Sequence, residues 1–264
     1  MEVYMKKYTL ITGASGGIGL ELARIFAKNG HNLVLVARSF DKLQKIKEDL
    51  ENKYNIKVEA IKKDLSISNS PKELYNEIKE KKIFVNILVN NAGYATFGKF
   101  YNLNIEKELN MIQLNVVTLV HLTKLFLDDM IKNNEGKILN VASTAAFQPG
   151  PLMANYYASK AYVLSFSEAL NEELKDMNIS VSALCPGATS TDFVKRANME
   201  KSRLFHTLKP MRADKVAEIA YYGLMKKKQV IIPGFRNKIL AFSIRFTPRK
   251  IVPKMVMNIQ KELN

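Results

Sequence analysis

Short runs of consecutive apolar residues alternate along this chain with longer stretches of helical period. The runs fall at Tyr8–Thr12, Asn32–Ala37, Lys57–Ile61, Asn86–Asn90, Lys137–Ser143, Ile179–Pro186 and Val230–Pro233. A strand with one wet face alternates apolar and polar side chains, whereas a strand covered on both faces is apolar at successive positions. Most of these runs are of the second kind, which predicts parallel strands. Between them, stretches such as Leu20–Asn29 place Leu22, Ile25 and Phe26 on one helical face, with Gly30 as a stop. Right-handed crossovers then put helices on both sides of the sheet. The expected fold is α/β, a doubly wound parallel sheet in a single domain over residues 1–235. Residues 236–264 are expected to form a basic helical extension.

Length and composition agree with this. A chain of 264 residues, 47% of them hydrophobic, can bury a full core. Its single cysteine excludes an internal disulfide framework and fits a reducing compartment. Met1–Lys7 lacks the apolar core of a signal peptide. No stretch reaches the roughly 18 consecutive apolar residues of a membrane span. The expectation is a cytoplasmic protein. The formal charge of +15 will attract anions, but composition alone does not choose among phosphates, acidic proteins and lipid headgroups.

In a doubly wound sheet, ligands sit beyond the carboxyl ends of the strands. The first run passes through Thr12-Gly13-Ala14-Ser15-Gly16-Gly17-Ile18-Gly19 straight into a helix. Glycines there permit a tight turn and let the backbone approach a pyrophosphate, which a helix N-terminus stabilises. The Gly13, Gly17, Gly19 spacing departs from the usual GxGxxG fingerprint, so the turn alone is weak evidence. Its company is stronger. Asn90-Asn91-Ala92-Gly93 closes the fourth run, Asn115 lies in the next long helix, and Ser143 ends the fifth run. Tyr156 and Lys160 follow, four residues apart, and Pro186-Gly187 ends the sixth run with Thr189 and Thr191 just beyond.

Together these segments resemble the short-chain dehydrogenase/reductase family. Its markers are TGxxxGxG, NNAG, an Asn–Ser–Tyr–Lys tetrad and a PG motif, and all occur here in the family's order between about Tyr8 and Pro233. The resemblance implies a Rossmann-type fold, a nicotinamide cofactor and hydride transfer to a carbonyl or from an alcohol.

The residues themselves suit that chemistry. Tyr156 and Lys160 share a helical face. A tyrosine with a pKa of about 10 is a poor base at neutral pH, and lowering it by about three units takes roughly 4 kcal/mol. The Lys160 ammonium is expected to supply much of this, leaving Tyr156 as acid for reduction or base for oxidation. The resemblance adds that Lys160 holds the nicotinamide ribose hydroxyls, that Ser143 hydrogen-bonds the substrate oxygen, and that Asn115 positions a water. Tyr157 is a plausible decoy, but its partner four residues on is Ala161.

Cofactor choice turns on the end of the second run. NAD enzymes place a carboxylate there for the ribose 2′-hydroxyl; this chain has Val36-Ala37-Arg38-Ser39. Arg38 offers a planar fork for a 2′-phosphate, so the expected cofactor is NADP(H). Asp41 is read as part of the next helix. Asp64-Leu65 resembles the family's adenine-contacting pair, although an aspartate there equally suits a helix cap. The cofactor-binding set is thus Gly13, Ser15, Gly16, Gly17, Ile18, Gly19, Arg38, Asp64, Leu65, Asn91, Ala92, Gly93, Tyr156, Lys160, Pro186, Gly187, Thr189 and Thr191.

No metal site is expected, since His31, His121 and His206 are scattered. Cys185 reads as a buried small residue, and a nucleophile elbow is absent. Ala145, Phe147, Pro149, Leu152, Met153 and Phe193 are expected near the substrate. The segment Asp192–Pro210, with Phe193, Met199, Leu204 and Phe205, matches the family's substrate lid. These residues favour a small lipophilic carbonyl or alcohol, with fatty-acyl, steroid-like and xenobiotic ketones all open. A non-catalytic NADP-binding regulator on the same fold is the alternative. The expected assembly is a homodimer or homotetramer, and no specific nucleic-acid partner is expected. The extension interleaves cations with Ile239, Leu240, Phe242, Ile244 and Phe246. That composition suits either packing on the domain or a second subunit, or weak peripheral contact with an anionic membrane.

Overall fold

A computed structural model describes residues 6–191, Phe193 and residues 210–261. Seven strands form one parallel sheet: β1 (Lys7–Thr12), β2 (Asn32–Ala37), β3 (Val58–Lys62), β4 (Phe84–Asn90), β5 (Gly136–Val141), β6 (Ile179–Leu184) and β9 (Val230–Ile231). Their order across the sheet is β3-β2-β1-β4-β5-β6-β9. Direction of winding reverses between β1 and β4, which opens a crevice at their carboxyl ends. Two short strands, β7 (Thr189–Ser190) and β8 (Met211–Arg212), pair beside the sheet and bracket the segment expected to be a lid.

Successive strand residues are buried because both faces are covered. Ile11, Leu33, Leu35, Val89 and Leu139 pack under α1 (Gly17–Lys28), α2 (Phe40–Lys53) and α7 (Ala213–Met225). Leu10, Val34, Val36, Leu88 and Ile138 pack under α3 (Ser70–Glu80) and α5 (Leu119–Lys132). α6 (Ala154–Glu173) completes that second layer through Val163 and Leu164. Asp41 stands in the first turn of α2, and Gly30 stops α1 with a φ of +79°.

α4 (Ile105–Ile112) continues through a π-turn, Gln113–Thr118, into α5. This helical run, Ile105–Lys132, is long and apolar enough to cross a membrane by length and composition. Its inner face, however, packs on the sheet through Leu122, Phe126 and Met130, and it carries Glu106, Lys107, Lys124 and Asp128.

Strands β4 and β5 are joined by a polar chain inside the core. Asn90 pairs in register with Asn140. The Asn90 amide donates to Asn140 Oδ1 at 2.9 Å and to Thr123 Oγ1 at 3.0 Å. The Asn140 amide donates onward to Ser167 on α6 at 2.9 Å.

Three predicted runs are longer than the strands, β9 stopping at Ile231, two residues before Pro233. β5 ends before Ser143 and β6 before Pro186, because Pro186 has no N–H with which to continue the ladder. After β9 the chain forms α8 (Phe235–Ser243), a 3-10 turn (Ile244–Phe246) and α9 (Val252–Gln260).

Candidate active site

The crevice at the strand ends is a cavity of about 1160 Å³. Its cofactor end is built on β1. Thr12 Oγ1 accepts from the backbone N–H groups of Asn91 and Ala92 at 3.0 and 2.9 Å, and the Asn91 amide donates to the Thr12 carbonyl at 2.8 Å. One threonine thus fixes the β4 turn to the glycine turn. Gly13 and Gly17 adopt φ of +67° and +57°, where side chains are strained. A Cβ at Gly19 would stand 2.4 Å from the Gly13 carbonyl oxygen. Gly19 therefore lies behind the turn and does not line the cavity.

The loop suits a dinucleotide. A Cβ at Gly16 would meet nothing within 4 Å, so its backbone faces open space. The first turn of α1 has no acidic residue and no side-chain cap, leaving its N–H groups for an anion. Thr191 lies over Gly17, and Asn91, Ala92, Gly93, Pro186, Gly187 and Thr189 line the same cavity. Arg38, at the end of β2, borders the cavity beside Ser39 and Lys63. Asp64 and Leu65 line it below. Burial raises the Asp64 carboxyl, but the Ser66 hydroxyl and N–H and the Arg38 charge outweigh that and hold it below its ordinary range. Asp64 therefore closes a local turn with Ser66; α3 begins later, at Ser70, so Asp64 is not its cap.

The reacting end is built on α6. Tyr156 and Lys160 are buried and line the cavity one turn apart, with Lys160 Nζ 5.8 Å from the Tyr156 ring centre. Lys160 donates to the Val141 carbonyl at 2.7 Å, tying α6 to the end of β5. Ser143 caps the 3-10 turn Thr144–Phe147 and hydrogen-bonds Tyr156. Burial pushes the Tyr156 hydroxyl well above the ordinary tyrosine value, partly offset by Ser143. Burial also lowers the Lys160 ammonium to about 8. The expected lowering of the Tyr156 pKa by Lys160 is therefore not found. Both groups sit in a dry cleft, where the charged form of each loses more hydration than its neighbour returns.

Asn115 lies in the π-turn and does not line the cavity. Its Oδ1 accepts from the Tyr94 N–H at 3.1 Å, and its amide donates to the Tyr94 carbonyl at 2.9 Å. A Cβ at Gly93 would stand 2.8 Å from Asn115 Oδ1 and 3.7 Å from Lys160 Nζ. Asn115 thus braces the wall behind Lys160.

The remaining wall is largely apolar: Ala95, Phe97, Leu103, Ala145, Met153, Phe193, Val252 and Val256. Of the residues expected here, Phe147 packs instead in the core with Leu119 and Val163. Pro149 and Leu152 stand off the cavity, Leu152 in a left-handed turn with φ of +68°. Asp192, Met199, Leu204, Phe205 and His206 lie outside the described residues. Among those described, no cluster of His, Cys, Asp and Glu suits a metal. His31 packs on Phe26 and meets the Tyr221 hydroxyl at 3.2 Å.

Three contributions escaped the sequence. Lys63 follows β3 at the cofactor end, Tyr157 lines the substrate end, and α8 and α9 supply a whole wall that includes Asn237, Leu240, Met255, Ile259 and Gln260.

Known proteins share this arrangement. Residues 7–202 match the short chain dehydrogenase family. The chain is 34% identical over 203 residues to 17-beta-hydroxysteroid dehydrogenase type 3 of Mus musculus, 75% of this chain but only 65% of that protein. It is 32% identical over 232 residues to NADP-dependent 3-hydroxy acid dehydrogenase of Schizosaccharomyces pombe, 86% of this chain and 90% of the relative. It is also similar to a solved short-chain dehydrogenase from Sphingobium yanoikuyae in complex with NADPH, with TM-score 0.82, 33% identity, and coverage of 91% and 92% of the two chains. The chain thus spans less than two thirds of the mouse protein and nearly all of the other two. Agreement that runs from the first strand past the sixth makes this chain a member of the short-chain dehydrogenase/reductase family of oxidoreductases.

Proposed function

We propose that this enzyme reduces lipophilic ketones with NADPH. The observation that carries the reading is the Tyr156 hydroxyl. It is buried, held protonated by its surroundings, hydrogen-bonded to Ser143, and placed where the glycine-lined and apolar halves of one cavity meet.

The Gly13–Gly17 turn and the N-terminus of α1 would hold a nicotinamide dinucleotide, which would supply the hydride. Tyr156 donates its proton to the carbonyl oxygen as charge develops there, and the Ser143 hydroxyl donates a hydrogen bond to the same oxygen. Its surroundings hold the Tyr156 hydroxyl protonated at neutral pH, the form that reduction uses. Lys160 stands behind Tyr156 as a cation at neutral pH, positioned to hold ribose hydroxyls. Arg38 and Lys63 offer two cations at the adenosine end, and no carboxylate follows β2 within the cavity, which supports NADPH over NADH. The apolar wall supports a substrate of steroid or fatty-acyl character. Relatives named for hydroxysteroids, very-long-chain 3-oxoacyl-CoA and 3-hydroxy acids fall in that range.

Steady-state oxidation of NADPH against a panel of steroid, 3-oxoacyl and aryl ketones tests this. Turnover of a bulky apolar ketone with NADPH, and much less with NADH, is expected. Selective turnover of small polar carbonyls, or a preference for NADH, would overturn it.

A further inference from the structure

Helices α8 and α9 carry more apolar surface than the fold consumes. In α9, Val252, Val256 and Gln260 are buried, while Met255 and Ile259, each one position earlier, and the N-cap Ile251 are exposed. In α8, exposed Phe235, Ile239 and Phe242 recur at helical spacing and form a stripe. Phe246 extends it, its ring edge-on to Phe242 at 5.2 Å. Phe235 and Phe246 are 76% and 74% exposed, unusual for rings unless something else covers them.

Charge identifies the cover. No acidic residue occurs between Glu218 and Glu262. Arg236 and Lys238 on α8, Arg245, Arg249 and Lys250 on the connection and Lys254 on α9 are exposed, and none forms an ion pair among the described residues. A twofold contact with a second copy would press these cations on themselves with no carboxylate to answer them. An anionic bilayer answers both features. Interfacial helices bury an apolar face at the acyl boundary and keep their cations among the headgroups.

The cavity gives the contact a direction. Leu240, Met255 and Ile259 are both exposed and part of the cavity wall, so these helices form one edge of the cavity's opening, next to the apolar stripe. A protein partner seated there would close the mouth, whereas a bilayer presents it with an apolar phase. We propose that α8 and α9 dock this enzyme on an anionic lipid bilayer, with the mouth of the substrate cavity against the lipid. The docking stands on these helices alone. Only the use of the bilayer as a source of substrate rests on the ketone-reductase reading, and vesicle binding is measured without turnover, so the two fail separately.

The test is co-sedimentation of the full chain with vesicles of phosphatidylcholine alone and of phosphatidylcholine mixed with phosphatidylglycerol. Binding is expected to the mixed vesicles at low salt and to fall as salt shortens the Debye length from about 10 Å at 0.1 M to about 3 Å at 1 M. Two variants of exposed residues off the cavity separate the contributions, with NADPH affinity as a check on folding. R245Q/R249Q/K250Q/K254Q should lose about fivefold in vesicle affinity per charge removed. F242S/F246S should release the protein even at low salt. Equal binding to both vesicles, no binding to either, or undiminished binding of the charge variant would overturn the proposal. A dimer in sedimentation velocity that F242S/F246S splits would also overturn it, by seating a second copy on this face.

Discussion

The Gln260 amide donates to the Tyr157 hydroxyl across 103 residues of chain, in a buried hydrogen bond that ties α9 to the residue beside Tyr156. The apolar cavity wall is thereby attached to the helix that carries Tyr156. Gln260→Leu should remove about 1 kcal/mol and lower the melting temperature by roughly 2–4 °C. Because the bond lies at the substrate end, the KM for a bulky ketone should rise more than kcat falls, with the Kd for NADPH unchanged. An equal loss of kcat and NADPH affinity would mean that the bond supports the whole fold and not the wall.

The neighbouring tyrosines should separate cleanly. Tyr156→Phe removes the proposed proton donor and should cut kcat by about 10² to 10⁴-fold while NADPH still binds. Burial pushes the Tyr157 hydroxyl up to about 12, with Gln260 and Gln148 as its hydrogen-bond partners. Tyr157→Phe should therefore cost stability and keep most of the activity. Comparable losses of turnover in the two variants would assign the proton to a different group.

Cofactor preference should reside in two cations. Arg38→Asp should weaken NADPH and improve NADH, and Lys63→Ala should weaken NADPH by a smaller factor, because Lys63 is shared with Glu73 and Glu77 at 3.5 and 3.7 Å. Fluorescence titration of each cofactor measures both. An unchanged NADPH to NADH ratio in Arg38→Asp would place 2′-phosphate recognition elsewhere.

Lys160 should leave a mark on the pH dependence of folding. Burial lowers it to about 8 from 10.5, so the folded state releases this proton first. Its stabilising contribution is complete above pH 10.5 and is lost as pH falls through 8. Burial raises Cys185 to about 12 from 9.0 and Tyr156 well above 10, and those contributions are lost only above their unfolded values. Between pH 8 and 9, Lys160 therefore dominates among the buried groups. Lys160→Met should be more stable than the wild type at pH 7 by urea denaturation, and the gap should narrow by about 1 kcal/mol from pH 8 to 9. A gap independent of pH would show that Lys160 does not titrate there.

Much of this was legible before any coordinates. Leu10-Ile11 and Val34-Leu35-Val36 are apolar in succession because each face of the sheet has its own helical layer, and that double burial is what the runs record. Ser143, Tyr156 and Lys160 come together on one cavity wall because a strand end and one turn of α6 carry them at fixed positions, which their spacing records. Asn115, expected to position a water, instead binds the Tyr94 backbone off the cavity, in a π-turn whose shifted backbone hydrogen bonds leave no side-chain signature. Lys63 is one cation among 40 lysines and arginines, and only the pairing of β3 with β2 brings it beside Arg38. Phe147 and Leu152 were apolar near the right motif, yet a 3-10 turn and a left-handed residue aim them away. The wall formed by Val252, Val256 and Gln260 depends on a return of the chain that no local spacing announces.

The Asn90–Asn140 pair works as a proofreader of strand pairing. Asn90 immediately precedes Asn91 of the cofactor turn, and Asn140 stands three residues before Ser143. Sliding β5 by a single residue would carry the serine about 3.3 Å along the crevice and turn its neighbours to the opposite face. Leucines at both positions would tolerate that error, because apolar contacts are indifferent to small shifts. Two amides sealed in the core do not tolerate it, since the wrong alignment strands their polar atoms away from water at about 1–3 kcal/mol each. The chain accepts a polar thread through its driest layer, and in return the Asn91 turn and Ser143 are assembled in a single alignment.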